Sequence, residues 1–498
     1  QNSRNHIELQ TFLRATLHVM KATKIVATLG PASDTVEIIA AMIEAGCDVF
    51  RLNFSHGTPE DHAGRASRVR EAAARVGREV AIMGDLQGPK IRVGKFEKGK
   101  AMLVAGQPFL LDAALDSKAL VSNEHQASLD YKELPRDVKV GDTLLLADGL
   151  IQLKVERVVG DKVFTIVELG GELSNNKGIN RLGGGLTAPA LPAKDMDDIK
   201  TAIAIDVDYL AVSFPKCAAD MLTARAVLAA GGGKAKLIAK IERAEAIIPE
   251  ILDEIIDASD GIMVARGDLA IEIGNAAVPA AQKRMIKRAR DKNKLAITAT
   301  QMMESMINAP VPTRAEVSDV ANAVLDGTDA VMLSAESATG KYPVETIRTM
   351  AAIAYEAERS QVYELDRDFI NQQFARVDQT IAMAALFAAF HLNAKAIAAL
   401  STSGSTALWM SRHDSGVPIY ALTPEVGAAR RAALYRGVRP VVVPFVEDRE
   451  LALQAAEDAV AKRGKLERDE VIVLTCGEPM GKSGGTNALK VVRVGERR

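Results

Sequence analysis

Cysteine is nearly absent. The 498-residue chain has three, Cys47, Cys217 and Cys476, too far apart to form a metal-ligand spacing, which suits a reducing cytoplasm. Neither sign of charge is in excess: 62 basic side chains stand against 64 acidic ones, so neither nucleic acid nor an anionic membrane is expected as a partner. Any recognition of anions must be local. Long apolar runs are missing too; the longest, Ile381 to Phe390, is too short to span a bilayer and reads as a buried helix. Residues 1–20 lack the apolar core of a signal peptide, and Met20 falls directly before the ordered pattern begins, so they read as an added leader.

The length allows about two to four domains. Eight apolar runs of strand length precede residue 340: Lys24–Thr28, Val49–Asn53, Val80–Asp85, Tyr209–Phe214, Leu237–Glu242, Ile262–Ala265, Leu295–Thr300 and Ala330–Ser334. Helix-period segments alternate with them, from Asp34–Glu44 and Pro59–Arg75 to Thr313–Leu325 and Val344–Glu358. Strands apolar enough for burial on both faces, eight in number, predict an α/β fold, a (β/α)8 TIM barrel; a doubly wound open sheet is the alternative. The barrel takes residues 21–88 and 187–358.

Between Asp85 and the helix near Asp195 lie about a hundred residues, where such a loop needs about two to six. Strand signals at Ala101–Val104, Thr143–Leu146, Ile151–Val155 and Lys162–Val167 make this insertion, 89–186, a small β-barrel lid over the rim. Its Lys177 would face the ligand. A charged stretch after Glu358 reads as a linker, and 359–498 as a C-terminal α/β domain with a mostly parallel sheet.

Polar groups gather where the barrel strands end, the rim at which such barrels do chemistry. They are Arg51, Asn53, Ser55, Asp85, Lys216, Lys240, Glu242, Arg266, Asp268, Thr300, Ser334 and Glu336, and the strand beginnings look much poorer in them. Side chains alternate along a strand, so Lys240 and Glu242 share a face, as would Arg266 and Asp268. Glu242 and Asp268 together suit a hard divalent cation whose other ligands are water and substrate, which favours Mg2+. Lys240 beside it would face a phosphate or a developing oxyanion. The plain alternative is a salt-bridge network. In the C-terminal domain, Ser401 and Thr402-Ser403-Gly404-Ser405-Thr406 between a strand and a helix offer a phosphate cradle, with Lys482 and Ser483 in the loop 477–487 placed to close over it. Spacing alone stops at a Mg2+-dependent barrel enzyme acting on a phosphorylated or carboxylated small molecule.

Six motifs then carry a family resemblance. Lys24-Ile25-Val26-Ala27-Thr28-Leu29-Gly30-Pro31, Arg51-Leu52-Asn53-Phe54-Ser55-His56-Gly57, Leu237-Ile238-Ala239-Lys240-Ile241-Glu242-Arg243, Val264-Ala265-Arg266-Gly267-Asp268, Ala299-Thr300-Gln301-Met302-Met303-Glu304 and Met332-Leu333-Ser334-Ala335-Glu336 occur in the order found in pyruvate kinases. The resemblance runs from about Lys24 to Val494. It implies transfer of the phosphoryl group of phosphoenolpyruvate to ADP, giving pyruvate and ATP, the last step of glycolysis. It further implies Mg2+ on Glu242 and Asp268, Lys240 against the phosphoryl group and enolate, and the carboxylate on Gly267, Asp268 and Thr300. Arg51 would contact the moving phosphoryl, Arg92 and Lys177 the nucleotide with Asn53 and His56 nearby, and Thr300 with Ser334 would relay the proton. A cytoplasmic homotetramer, regulated at Thr402–Thr406 by a sugar-phosphate type of effector, completes the expectation.

Two departures stand out. Potassium-dependent members read Asp-Thr-Lys-Gly-Pro-Glu where this chain reads Asp85-Leu86-Gln87-Gly88-Pro89-Lys90. Asn53, Ser55 and Asp85 survive from the monovalent-cation position, but the Lys90 ammonium stands in for K+, so catalysis without K+ is expected. The lid returns through Leu182-Gly183-Gly184-Gly185 in place of Leu-Pro-Gly. A carbon–carbon lyase on the same barrel, or a silent sugar-phosphate sensor, are the competing readings.

Overall fold

The computed structural model describes residues 21–361 and 373–496, so the proposed leader and most of the proposed linker lie outside the described residues. Eight parallel strands form a closed barrel. They are β1 (Lys24–Thr28), β2 (Val49–Asn53), β3 (Ala81–Asp85), β4 (Tyr209–Val212), β5 (Lys236–Ile241), β6 (Gly261–Ala265), β7 (Leu295–Ala299) and β8 (Ala330–Leu333). Each pairs with its neighbours in sequence, and β8 closes on β1 with Ala27 opposite Leu333. Every residue of β1, β3, β4 and β6 to β8 is buried, as expected of strands covered on both faces.

The strand beginnings are not poor in charge. Asp48, Asp208, Asp260 and Asp329 each stand at or just before the start of a strand, and each accepts a backbone N–H from a neighbouring strand: Ile25, Ile82, Leu237 and Ala296, at 2.7 to 2.9 Å. The acids are partnered in turn by Lys21 and Arg78, Arg70, Arg225 and Arg412. Read singly in sequence they resemble loop charges; in the fold they are strand-end acceptors that satisfy buried donors.

The insertion between β3 and β4 is a curled six-stranded sheet, in the order Ile179–Arg181, Thr143–Leu146, Ile151–Val159, Lys162–Leu169, Pro108–Asp112 and Gln126–Ser128, with its own apolar core around Phe109, Leu144 and Val163. Leu186 and Ala188, on the return to the barrel, pack into that core. Gly183, Gly184 and Gly185 there all have positive φ.

The C-terminal unit is a five-stranded sheet, parallel except for its last strand, Thr486–Arg493, which runs against Val471–Gly477. The apolar run expected as a buried helix is one, Val377–His391, but buried along a single face: Phe387 is 45% exposed. The unit docks on the strand-beginning end of the barrel. One apolar cluster holds Val26, Met83 and Tyr209 together with Leu386, Met410 and Leu434, and Asp329 and Arg412 form an ion pair buried at the seam.

Candidate active site

The opposite end of the barrel carries a cleft of about 460 Å³ between the rim and the lid. Arg51, Asn53, Ser55, Lys240, Glu242 and Asp268 line it from the barrel; Lys90, Arg92 and Lys177 line it from the lid side. Asp85 is buried beneath. It takes Arg51 Nε on Oδ2 at 2.6 Å and faces the Lys240 ammonium from Oδ1 at 3.4 Å. Thr28 Oγ1 accepts from Arg51 Nη1 at 2.9 Å. Arg51 is therefore fixed along its length.

Lys240 is held from three sides: by Asp85, by Glu242 Oε1 at 3.0 Å, and by Ser213 Oγ, to which it donates at 2.8 Å. Burial alone would lower its pKa, but Asp85 and Glu242 together outweigh burial and leave it above the ordinary lysine range. Burial drives the Glu242 carboxyl up to about 7, with the charge of Asp268 adding, against the pull of Lys240. Asp268 is raised as well, by burial first and then by Asp148 and Asp85, with Lys240 opposing. At the floor of the cleft Asp85, Glu242 and Asp268 face Lys240 and Arg51, one acid more than the cations. Glu242 and Asp268, whose pKa values burial holds up even with Lys240 beside them, fit a divalent cation. Among the described residues no group of three or more His, Cys, Asp or Glu side chains is placed to hold a metal ion.

Several expected rim groups point elsewhere. The strand β6 ends at Ala265, and Arg266–Ile273 is a helix, so Arg266 and Asp268 do not share a strand face. Arg266 turns from the cleft to Asp319 at 2.7 Å and to the Thr300 carbonyl at 2.7 Å. It braces a turn in which Thr300 and Gln301 have positive φ, a conformation costing about 1–3 kcal/mol per residue. Thr300 Oγ1 accepts the Gly267 N–H at 2.9 Å and donates to the Ala299 carbonyl at 2.7 Å, so these two groups engage each other here. Ser334 follows β8 outside the cleft lining, its backbone N–H donating to buried Glu336, which also accepts the Met303 N–H at 3.2 Å. Lys216 donates to the Thr187 carbonyl, on the segment that returns from the lid. His56 is exposed on the loop after β2.

Sequence reasoning missed Asp148, Asn180, Arg243 and Glu272, which also line the cleft, and Ser213, which anchors Lys240. Arg243 lay beside Glu242 in a quoted motif; Asp148 and Asn180 of the lid, and Glu272 and Ser213 of the barrel, carried no functional signal of their own. In the C-terminal unit the hydroxyls of 401–406 do not converge. Ser401 Oγ accepts from Gly404 N, Ser403 and Ser405 bond each other, and Thr406 pairs with buried Thr486 at 2.8 Å. Ser401 and Thr402 line a cavity with Lys482 and Phe445, and Thr402 Oγ1 is buried there without a hydrogen-bond partner.

A barrel whose rim gathers acids and cations beneath a cationic lid defines an enzyme of anionic substrates. Two family models, "Pyruvate kinase, barrel domain" and "Pyruvate kinase, alpha/beta domain", match residues 20–347 and 379–492. The chain belongs to the pyruvate kinase family and is a phosphotransferase. It is 51% identical to pyruvate kinase II of Salmonella typhimurium over 477 residues, 95% of this chain and 99% of that protein. It is 50% identical to the Haemophilus influenzae pyruvate kinase over 92% of this chain and 96% of that one, and 41% to that of Geobacillus stearothermophilus over 95% and 80%. Among the described residues no helix is long and apolar enough to cross a membrane.

Proposed function

We propose that the chain transfers the phosphoryl group of phosphoenolpyruvate to ADP with Mg2+ held by Glu242 and Asp268. The observation that carries this reading is the Lys240 ammonium, gripped by Asp85, Glu242 and Ser213 at the floor of the cleft. A terminal phosphate oxygen of ADP forms the new bond to phosphorus as the bridging P–O bond breaks, the electron pair of the broken bond stays on the enolate oxygen, and Lys240 meets that charge without having to reorganise. Bound Mg2+ supplies charge neutralisation on the phosphoryl oxygens. Arg51, fixed by Asp85 and Thr28, orients the phosphoryl; Arg92 and Lys177 receive the nucleotide phosphates from the lid, with Asn53 and His56 nearby. Gly267 and Thr300 exchange their mutual bond for the substrate carboxylate, and Thr300 with Ser334 would relay the proton to the enolate carbon through water, since neither side chain lines the cleft. A coupled assay tests this: pyruvate release must require ADP and Mg2+, and ADP-independent release would point to the lyase. Lys240→Met is expected to lower kcat by about 10²–10³.

The finer properties follow the same reading. Lys90 lines the same cleft as Asn53 and Ser55, which supports catalysis without K+; activity in tetramethylammonium buffer should match that in potassium buffer, and strong potassium stimulation would overturn it. The unpartnered Thr402 hydroxyl beside Lys482 supports a phosphorylated effector there, although the other hydroxyls of 403–406 are engaged locally. The domain limits given above, the homotetramer and the cytoplasmic setting are part of the proposal; exposed Phe387 and Val377 on the C-terminal unit suit an interface between copies.

A further inference from the structure

Both chain segments that enter and leave the lid are tied to one short turn, Ser213-Phe214, at the end of β4. On the entering side, Ser213 Oγ donates to the Leu86 carbonyl at 2.8 Å. Gly88 packs so closely on the turn that an added Cβ would lie 2.7 Å from Ser213 Cβ. On the leaving side, Arg243 donates from Nη1 to the Leu186 carbonyl at 2.8 Å and from Nε to the Phe214 carbonyl at 3.0 Å, with its guanidinium carbon 5.7 Å from the centre of the Phe214 ring. The Leu186 side chain belongs to the lid core. The same turn holds the chemistry: Ser213 Oγ accepts from Lys240, and the Phe214 N–H donates to Glu242 Oε2 at 2.8 Å. Phe214 has φ of 55°, a left-handed conformation that a non-glycine residue keeps only when its surroundings hold it there.

We propose that Arg243 is a positioning residue that makes lid placement and the Lys240–Glu242 geometry interdependent, by bridging the Leu186 carbonyl to the Phe214 turn. A guanidinium suits this task because its planar fork reaches two carbonyls at fixed spacing, which a lysine ammonium does not. The coupling is reciprocal: ligand on Lys240 and Glu242 favours the seated lid as much as the seated lid favours them. The inference rests on the reading of Lys240 and Glu242 given above. Activity of the unaltered enzyme tests that reading, and the ratio of variant to unaltered enzyme tests this one.

Arg243→Lys keeps the charge and loses the bridge. The expected result is kcat about tenfold lower, a KM for phosphoenolpyruvate within about threefold, and loss of the protection that phosphoenolpyruvate with Mg2+ gives the lid segments against limited proteolysis. A purely structural role would lower Tm and the active fraction but leave kcat per active site and the protection intact, and that outcome overturns the proposal. Arg243→Gln is the second variant, for use if the first does not fold. Its shorter amide cannot span the Leu186 and Phe214 carbonyls together; kcat should again fall with weakened protection, and unchanged kcat and protection would also overturn the proposal.

Discussion

At the scale of single residues, Asp195 shows how a carboxylate outside the cleft governs the lid. It follows the lid's return by a few residues, is fully buried, and takes the Gly88 N–H of the outgoing segment on Oδ2 at 2.9 Å, while Oδ1 has no hydrogen-bond partner. Burial lifts its carboxyl to about 6 from an ordinary 3.8. Between those values the folded chain keeps a proton that the unfolded chain has released, so this group's contribution to stability falls as pH rises and is fully lost above about 6. Asp195→Asn retains an acceptor for Gly88 without titrating. Its Tm relative to the unaltered chain should climb from pH 4.5 to 6.5 and then level off; a pH-independent difference would contradict the assignment. Such residues were poorly legible in the sequence. Lys240 and Glu242 could be read from their places at a strand end, and Asp268 from its motif although it stands in the first turn of a helix, whereas Ser213, Arg243 and Asp195 act through partners distant in sequence. Arg266 was misplaced for a simpler reason: the strand stops one residue before it and the helix begins.

At the scale of elements, the barrel strands were legible to within about two residues at their ends, because strands buried on both faces read as unbroken apolar runs. Lid strands such as Pro108–Asp112, which opens on a proline and ends on an aspartate, and Gln126–Ser128, only three residues long, escaped. Helix starts carried stronger signals. The helix Arg314–Leu325 is opened by Thr313, whose Oγ1 accepts from Glu316 N at 3.2 Å while Glu316 Oε2 accepts from Thr313 N at 2.7 Å. Glu316 also takes the Ser305 N–H and hydroxyl, at 2.7 and 2.5 Å, so this cap fastens the loop after β7 to the helix. Thr313→Ala should cost about 1 kcal/mol by urea denaturation. Glu316→Ala should cost more, since it releases the loop as well; equal costs would argue against the fastening.

For the whole molecule, the seam between barrel and C-terminal unit is set by Asp329. It accepts from Ala296 N at 2.9 Å, from Arg436 N at 3.1 Å and from both terminal nitrogens of Arg412. Asp329→Asn strands a guanidinium only 2% exposed and should cost about 3–5 kcal/mol. Adding Arg412→Met should recover a large part of that loss, and a double variant no better than the single one would show that the pair is not the source. The order of units along the chain was legible, but this docking was not, since each aspartate looks like an ordinary loop charge until the ring of strand-end acceptors is assembled. The interrupted pairing of β3 with β4, Met83 opposite Tyr209, also bears on how the polypeptide is made. Roughly 120 residues separate these neighbours, and joining them across a floppy segment of that length costs about 1.4 kcal/mol more than across a 25-residue crossover. A newly synthesised chain meets the insertion first, and with an apolar centre of its own it has the means to condense before its host sheet closes, bringing the two halves of the host to adjoining ends of an already compact body.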